Sequence, residues 1–325
     1  MGHPRRMYSA GTVYLVTNRV ADGLPFVANL YITMMLFGVL ARASSRFRGI
    51  TICTWLFLGN HYHAVLILRG EPAEFSAFMN FVDGEIAKLV TRWLGKRNVK
   101  VWAQRYHAAP LLTSEDVFDR IVYVLMNPVQ ARLVSRPEHW EGVTTFYALN
   151  DARPRSFKRI MPGSAPRLAN AQFSSVKIDR LVNEIRNSDS SEYELIIEPF
   201  AWMDCFRDTR DCSVEHMKMR LMERLKVESE ELSIRMGPKV LGARALACAN
   251  PHQHYRPKKR GRRIPCISAN WELRRRFLAS YRSFCQLAAK AWHDAKATNI
   301  LPKLPPGAFY PPKPFRCCLY PCFAP

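Results

Sequence analysis

The chain has 325 residues, 48% of them hydrophobic, which excludes a disordered or fibrous protein and suffices for one large domain or two ordinary ones. A formal net charge of +21 and a pI near 9.9 make a polyanion the expected partner, with nucleic acid ahead of an acidic membrane surface. The charge is uneven: residues 1–150 hold 16 Lys/Arg against 10 Asp/Glu, and the remaining 175 hold 32 against 17, so most of the attraction sits in the second half.

MGHPRR is basic, but no apolar stretch follows it, so it does not read as a secretory signal. GTVYLVTNRV (11–20) is β-branched and aromatic, a strand. Residues 24–41 carry no charge, yet Pro25, Asn29 and Thr33 interrupt them and about 20 strongly apolar residues are needed to span a bilayer. A core helix beginning near Ala28 and running to 47 is expected instead. RGITICTWLFLGN (48–60) is a buried strand ending in a Gly-Asn turn, and HYHAVLILR (61–69) is its hairpin partner. Apolar residues return at helical spacing over 71–96, RYHAAPLLT (105–113) is a short strand, and SEDVFDRIVYVLMNP (114–128) is a helix that Pro128 stops. The class is α+β, an antiparallel-rich sheet with helices packed on one face.

The texture changes near residue 150. Residues 151–172 are Pro-rich and basic, a linker. Residues 173–300 form a basic, mainly helical extension with helices at 174–188, 213–236 and 270–297, and 301–325 is a Pro-rich tail. The nine cysteines are odd in number and contain no Cys-x-x-Cys, so reduced thiols in a cytoplasm are expected, with the CCLYPC cluster a frayed end.

Two stretches carry chemistry. In GNHYHAVLILRG, side chains of a strand alternate between faces, so His61, His63, Val65 and Ile67 share one face and Tyr62, Ala64, Leu66 and Leu68 the other. Imidazoles two residues apart on one face can converge on one divalent ion; otherwise they are the polar end of an edge strand. The second pair, His252 and His254, adjoins a cationic run that repels a metal. In the 114–128 helix, Val117, Phe118, Ile121, Val122, Val124 and Leu125 crowd one side, with Thr113 and Asp116 as a capping box. Asp119, Arg120, Tyr123 and Asn127 occupy the polar side, with Asp119, Tyr123 and Asn127 at i, i+4 and i+8. Tyr123 there is either a nucleophile for phosphorus, with Asn127 as a further ligand, or a surface tyrosine covering its neighbours.

GNHYHAVLIL resembles the histidine–hydrophobic–histidine strand of the HUH superfamily. YVLMNPVQARLV resembles the tyrosine helix and following turn of its single-tyrosine transposases, and the order of RRMYSAGTVYLVTNRV and VWAQRYHAAPLLTSEDVF around them is similar to the REP-associated branch. The resemblance covers about residues 1–150. It implies a ferredoxin-like palm, a single-stranded and often hairpin-forming DNA substrate, and a divalent metal, Mg²⁺ or Mn²⁺, held by His61, His63 and Asn127. It also implies Tyr123 as the nucleophile of a transposase reaction, leaving a 5′-phosphotyrosine and a free 3′-hydroxyl. Two positions depart from the family pattern. Gly59 stands where a proline usually precedes the Asn-His, and Arg132 stands where the turn after the helix usually has glycine, a strained choice if that turn needs positive φ.

Trp102, Gln104, Arg105 and Tyr106 offer stacking and phosphate contacts to unpaired bases, or else a hydrophobic anchor at a loop end. Arg256, Lys258, Lys259, Arg260, Arg262, Arg263, Arg274, Arg275 and Arg276 stand against Glu272 alone and read as a phosphate-gripping extension. Tyr62, Tyr106 and Tyr147 are the reserve nucleophiles. Two other readings stay open. One is a non-catalytic DNA-binding or regulatory protein built on a retired transposase. The other is an HUH nickase of the replication or mobilisation type, although no GxxxxGK[ST] loop is present. A prokaryotic cytoplasmic location, no membrane partner, and either a monomer or a homodimer complete the expectation.

Overall fold

The computed structural model describes residues 5–95, 100–161, 175–242, 249–250, 252–253, 263–298 and 302–309. The first half runs β1 (Thr12–Arg19), α1 (Leu30–Arg46), β2 (Ile50–Leu58), β3 (His61–Leu68), α2 (Pro72–Trp93), β4 (His107–Pro110) and α3 (Ser114–Gln130). The four strands form one antiparallel sheet in the order β2-β3-β1-β4. A β-α-β-β-α-β path with its first and third strands central is the ferredoxin-like arrangement, the α+β palm expected above.

Strand alternation divides the core in two. Tyr14, Val16, Trp55, Phe57, Tyr62, Ala64, Leu66 and Leu68 pack with α1 and α2. Val13, Leu15, Leu56, Leu58, Val65 and Ile67 pack with α3. Helices α1 and α2 thus cover one face as expected, and α3 takes the other. Helix α3 starts on the predicted capping box, in which the Asp116 amide donates to Thr113 Oγ1 at 3.1 Å and the Thr113 amide to Asp116 Oδ2 at 3.0 Å. Pro128 does not stop it. The proline lies in the last turn, where its missing N–H breaks one bond only, and the helix runs on to Gln130.

The supposed linker contains structure. Residues Arg155–Lys158 (β5) pair antiparallel with Glu192–Leu195 (β6), and this small sheet lies on the outer side of α1. Phe157 stacks on Phe37 at 4.8 Å, a single ring contact too sparse to show as a strand pattern. A Cβ on Gly38 would fall 2.5 Å from the Lys158 carbonyl oxygen, so glycine is required there. Helix α4 (Ser175–Arg186) adds Ile178, Leu181, Val182 and Ile185 to the same core. Covered on both sides, α1 can be apolar nearly all round without being a membrane span. Among the described residues, no helix is long and apolar enough to cross a membrane.

Helix α5 (Val214–Met236) lies over α3 and buries Met217, Leu221, Leu225 and Leu232. Each such side chain contributes about 1.5–3 kcal/mol on burial, whereas the exposed Arg220–Glu115 pair at 2.7 Å contributes up to about 1 kcal/mol. Apolar burial therefore fixes this helix. Residues 264–268 run beside β4, with the Ile267 amide donating to the Pro110 carbonyl at 2.9 Å, and lead into α6 (Trp271–Thr298). Among the described residues, β5, β6, α4, α5 and residues 264–268 are packed onto the palm rather than hung from it.

Candidate active site

The two-residue turn Gly59-Asn60 delivers both histidines to the start of β3. Gly59 has φ 41°, which proline cannot adopt, so this turn is built differently from one with proline at that position. His61 pairs with Arg19 and Leu58, and His63 with Thr17 and Leu56, all in register. The imidazole rings lie 5.0 Å apart and perpendicular. Asn60 Oδ1 is 2.8 Å from His61 Nδ1. An amide oxygen only accepts, so Nδ1 carries the proton and Nε2 keeps a lone pair. His63 is buried, and its Nδ1 has no hydrogen-bond partner among the described residues.

Burial, and then the charge of Arg19, brings the pKa of His61 down to about 4. Burial, and then His61, brings His63 down to about 3. Both rings are therefore neutral at neutral pH, the state a metal ligand needs.

Tyr123 comes to the same place from the opposite layer. Its ring is 5.3 Å from that of His63, edge to face at 80°. The Arg120 guanidinium stands 5.5 Å over the Tyr123 ring. Asn127, one turn further along α3, donates from Nδ2 to the Tyr123 carbonyl at 2.9 Å, which leaves its amide oxygen as an acceptor. The structure thus brings His61, His63 and Tyr123 together and sets Asn127 on the stripe that Tyr123 occupies. No group of three His, Cys, Asp or Glu that could hold a metal occurs among the described residues, so Asn127, water or substrate would have to complete any coordination.

The reserve tyrosines lie elsewhere. Tyr62 is fully buried on the other face and donates to Asp83 Oδ1 at 2.7 Å. Tyr106 is 4% exposed and accepts from the Tyr8 hydroxyl at 3.0 Å, while Tyr147 packs with Phe37 beside α1. Sequence inspection set Arg120 on the polar side of its helix without a role, and gave Asn60 and Arg19 no place in the site. Asn60 adjoins the first histidine and was visible; Arg19 is a cross-strand neighbour that only the register shows.

The expected nucleic-acid contacts divide. Tyr106 is buried, so it is not a stacking platform for bases. Trp102 is half-buried against Phe26 and Tyr62, and its indole donates to the Asp83 carbonyl at 2.9 Å, which makes it an anchor for its loop. Gln104 and Arg105 are half-buried. The Arg263 guanidinium donates to the Arg105 carbonyl. Arg274, Arg275 and Arg276 are exposed on the first turns of α6, with Arg276 paired to Glu272 at 2.6 Å. Arg256, Lys258, Lys259, Arg260 and Arg262 lie outside the described residues, as do His254 and the tail cysteines.

No family model matches the chain, and no curated protein matches it. Among solved structures, a REP-associated tyrosine transposase bound to a REP hairpin is similar over 53% of this chain and 95% of that one, at 18% identity and a TM-score of 0.38. A TM-score that low does not equate individual residues of the two chains. What this site can do has to follow from its own geometry.

Proposed function

We propose that this protein is a nuclease and strand transferase on single-stranded DNA, of the single-tyrosine transposase type, with Tyr123 as its nucleophile. The observation that carries the reading is the meeting of Tyr123 with a pair of neutral imidazoles, from separate layers of the fold. The net charge of +21 suits a phosphodiester substrate.

In this reading the Tyr123 hydroxyl attacks phosphorus in line with the 3′-oxygen. The new bond is tyrosine oxygen to phosphorus, the broken one is phosphorus to 3′-oxygen, the phenol loses a proton and the leaving oxygen gains one. The product is a 5′-phosphotyrosine and a free 3′-hydroxyl, which can reverse the step or be replaced by another strand. The residues fit a divalent ion such as Mg²⁺ or Mn²⁺. The unpartnered Nδ1 of buried His63, the free Nε2 of His61 and the amide oxygen of Asn127 are neutral donors, leaving room for phosphate oxygen and water. Such an ion, when bound, would polarise the scissile phosphate. Asn60 fixes the His61 tautomer, and Arg120 places positive charge beside the attacking ring.

The test is incubation of the full chain with labelled single-stranded hairpin DNA and Mn²⁺, followed by a denaturing gel. A protein–DNA adduct that requires metal and vanishes in Tyr123→Phe is expected. DNA binding with no adduct under any metal would instead identify a DNA-gripping protein without the transfer step.

A further inference from the structure

Residues far apart in sequence build a second basic feature at the β4 edge of the sheet. Arg5 and Arg6 from the N-terminal segment, Arg105 before β4 and Arg263 before α6 line one cleft, together with Phe277 and Tyr281 of α6. Among the described residues, none that line it is acidic. Arg6 is held over the Tyr106 ring at 4.1 Å and donates to Ser76 Oγ at 2.9 Å. The Tyr281 hydroxyl donates to the Arg5 carbonyl at 2.7 Å, and Arg263 to that of Arg105. Uncharged groups thus fix these parts of the cluster.

Gathered guanidiniums repel one another. Burial first, then Arg6 and Arg263, lowers the pKa of Arg105; burial and then Arg6 lowers that of Arg263. An anion entering the cleft would remove that repulsion. The rings of Phe277 and Tyr281 lie beside it, both half-exposed, 6.2 Å apart and 9° from parallel. Guanidiniums beside stacked aromatic faces are the combination by which proteins hold unpaired strands, phosphate on the cations and base on the rings. A free phosphate or a lipid headgroup would engage the cations alone.

The cleft reaches the face of the imidazole pair through one residue. His107 lines it and pairs with Thr17, which pairs on its other side with His63. Directly paired residues share a face. His107 is therefore about two strand spacings, roughly 10 Å, from His63 on the α3 face, while Arg6, bonded to Ser76 of α2, and Tyr106 belong to the opposite face, so the cleft wraps around the β4 edge.

We propose that this cleft binds a phosphate of single-stranded nucleic acid, with the Phe277–Tyr281 stack receiving the neighbouring base. The single-strand assignment rests on the Tyr123 reading above. The test is fluorescence anisotropy of a labelled oligothymidylate in EDTA, using the full chain carrying Tyr123→Phe, so that no covalent step contributes. Arg6→Ala/Arg263→Ala is expected to weaken binding roughly tenfold or more and to reduce the slope of log K against log[salt] by about 1. The charge-matched Arg180→Ala/Arg224→Ala, outside the cleft, is expected to change affinity by less than about threefold, as for non-contacting charges. Arg263→Lys, which keeps the charge and loses the fork, is expected to fall between parent and double variant.

Ultraviolet cross-linking of an iododeoxyuridine oligonucleotide to the chain without cleft substitutions needs no mutant to fold, and should label the peptide holding Phe277 and Tyr281. Parent-like affinity and salt slope in the double variant would overturn the proposal. So would cross-links confined to other peptides, or displacement of the strand from the cleft by inorganic phosphate beyond its ionic-strength effect with no label on that peptide. A negative result here leaves the transfer reading standing, and a missing adduct leaves the cleft standing.

Discussion

Arg132 is the described non-glycine residue with positive φ, at 59°, and it closes the helix that carries Tyr123. A left-handed conformation costs an L-residue about 1–2 kcal/mol. Its guanidinium donates to the Gly237 carbonyl and, at 2.6 Å, to that of Lys239. The Leu241 amide in turn donates to the Arg132 carbonyl at 3.0 Å. The arginine thus offsets its strain by tying down the segment that follows α5. One bond is part-buried and the other exposed; such bonds contribute about 0.5–1 kcal/mol each, so Arg132→Ala, which keeps the strain and loses both, should cost about 1–2 kcal/mol. Arg132→Gly loses the same bonds but relieves the strain. After about 0.5–1 kcal/mol for glycine's greater freedom in the unfolded chain, it should be more stable than the alanine variant by about 0.5–1 kcal/mol. Urea unfolding of the three proteins, followed by circular dichroism, measures this order: Arg, then Gly, then Ala. An alanine variant as stable as the glycine variant would refute the reasoning.

Asp83 accepts hydrogen bonds from Tyr62 and Asn18, and burial nonetheless pushes its pKa up to about 7. The folded state therefore holds a proton that the unfolded state releases near pH 4, so stability should fall as pH rises from about 4 to 7, by up to about 4 kcal/mol; Asp83→Asn should flatten that profile in pH-dependent melting. Gly38→Ala should destabilise by about 1–3 kcal/mol, because the new methyl meets the Lys158 carbonyl and the β5–β6 pair must move; parent-like stability would contradict the close approach. Mn²⁺ at ten times its dissociation constant should stabilise the folded chain by about 1.4 kcal/mol, a melting shift of a few degrees. That shift should disappear in His61→Ala/His63→Ala, and its persistence there would place the ion elsewhere.

Much of the palm was legible because its periodicities are clean. The alternation in HYHAVLILR assigned His61, His63, Val65 and Ile67 to one face, and the core divides along that line. The apolar stripe of α3 and its Thr113–Asp116 box placed the helix to within two residues at its end. Pro128 misled because the cost of proline depends on its position in a helix, and in the last turn little is lost. Residues 155–158 read as linker because Arg-Ser-Phe-Lys buries one ring, and a strand held by a long-range partner leaves almost no local trace. Trp102 and Tyr106 looked equally suited to bases or to a core, and only burial decided. The cleft was invisible as a unit because its arginines come from three segments spread over more than 250 residues. The extension read as separate because α5 is strongly charged, and four apolar side chains at its inner face suffice to seat it on α3.

The central claim is that Tyr123 forms a covalent bond to the 5′-phosphate of a cut single strand. Its most direct measurement is mass spectrometry of proteolytic peptides after reaction with hairpin DNA labelled separately at each end. The account predicts that the peptide containing Tyr123 gains a nucleotide joined through a 5′-phosphate, that protein retains the 3′-end label, and that the 5′-end label leaves on a strand ending in a 3′-hydroxyl. An adduct on another peptide, or protein retaining the 5′-end label, would contradict it.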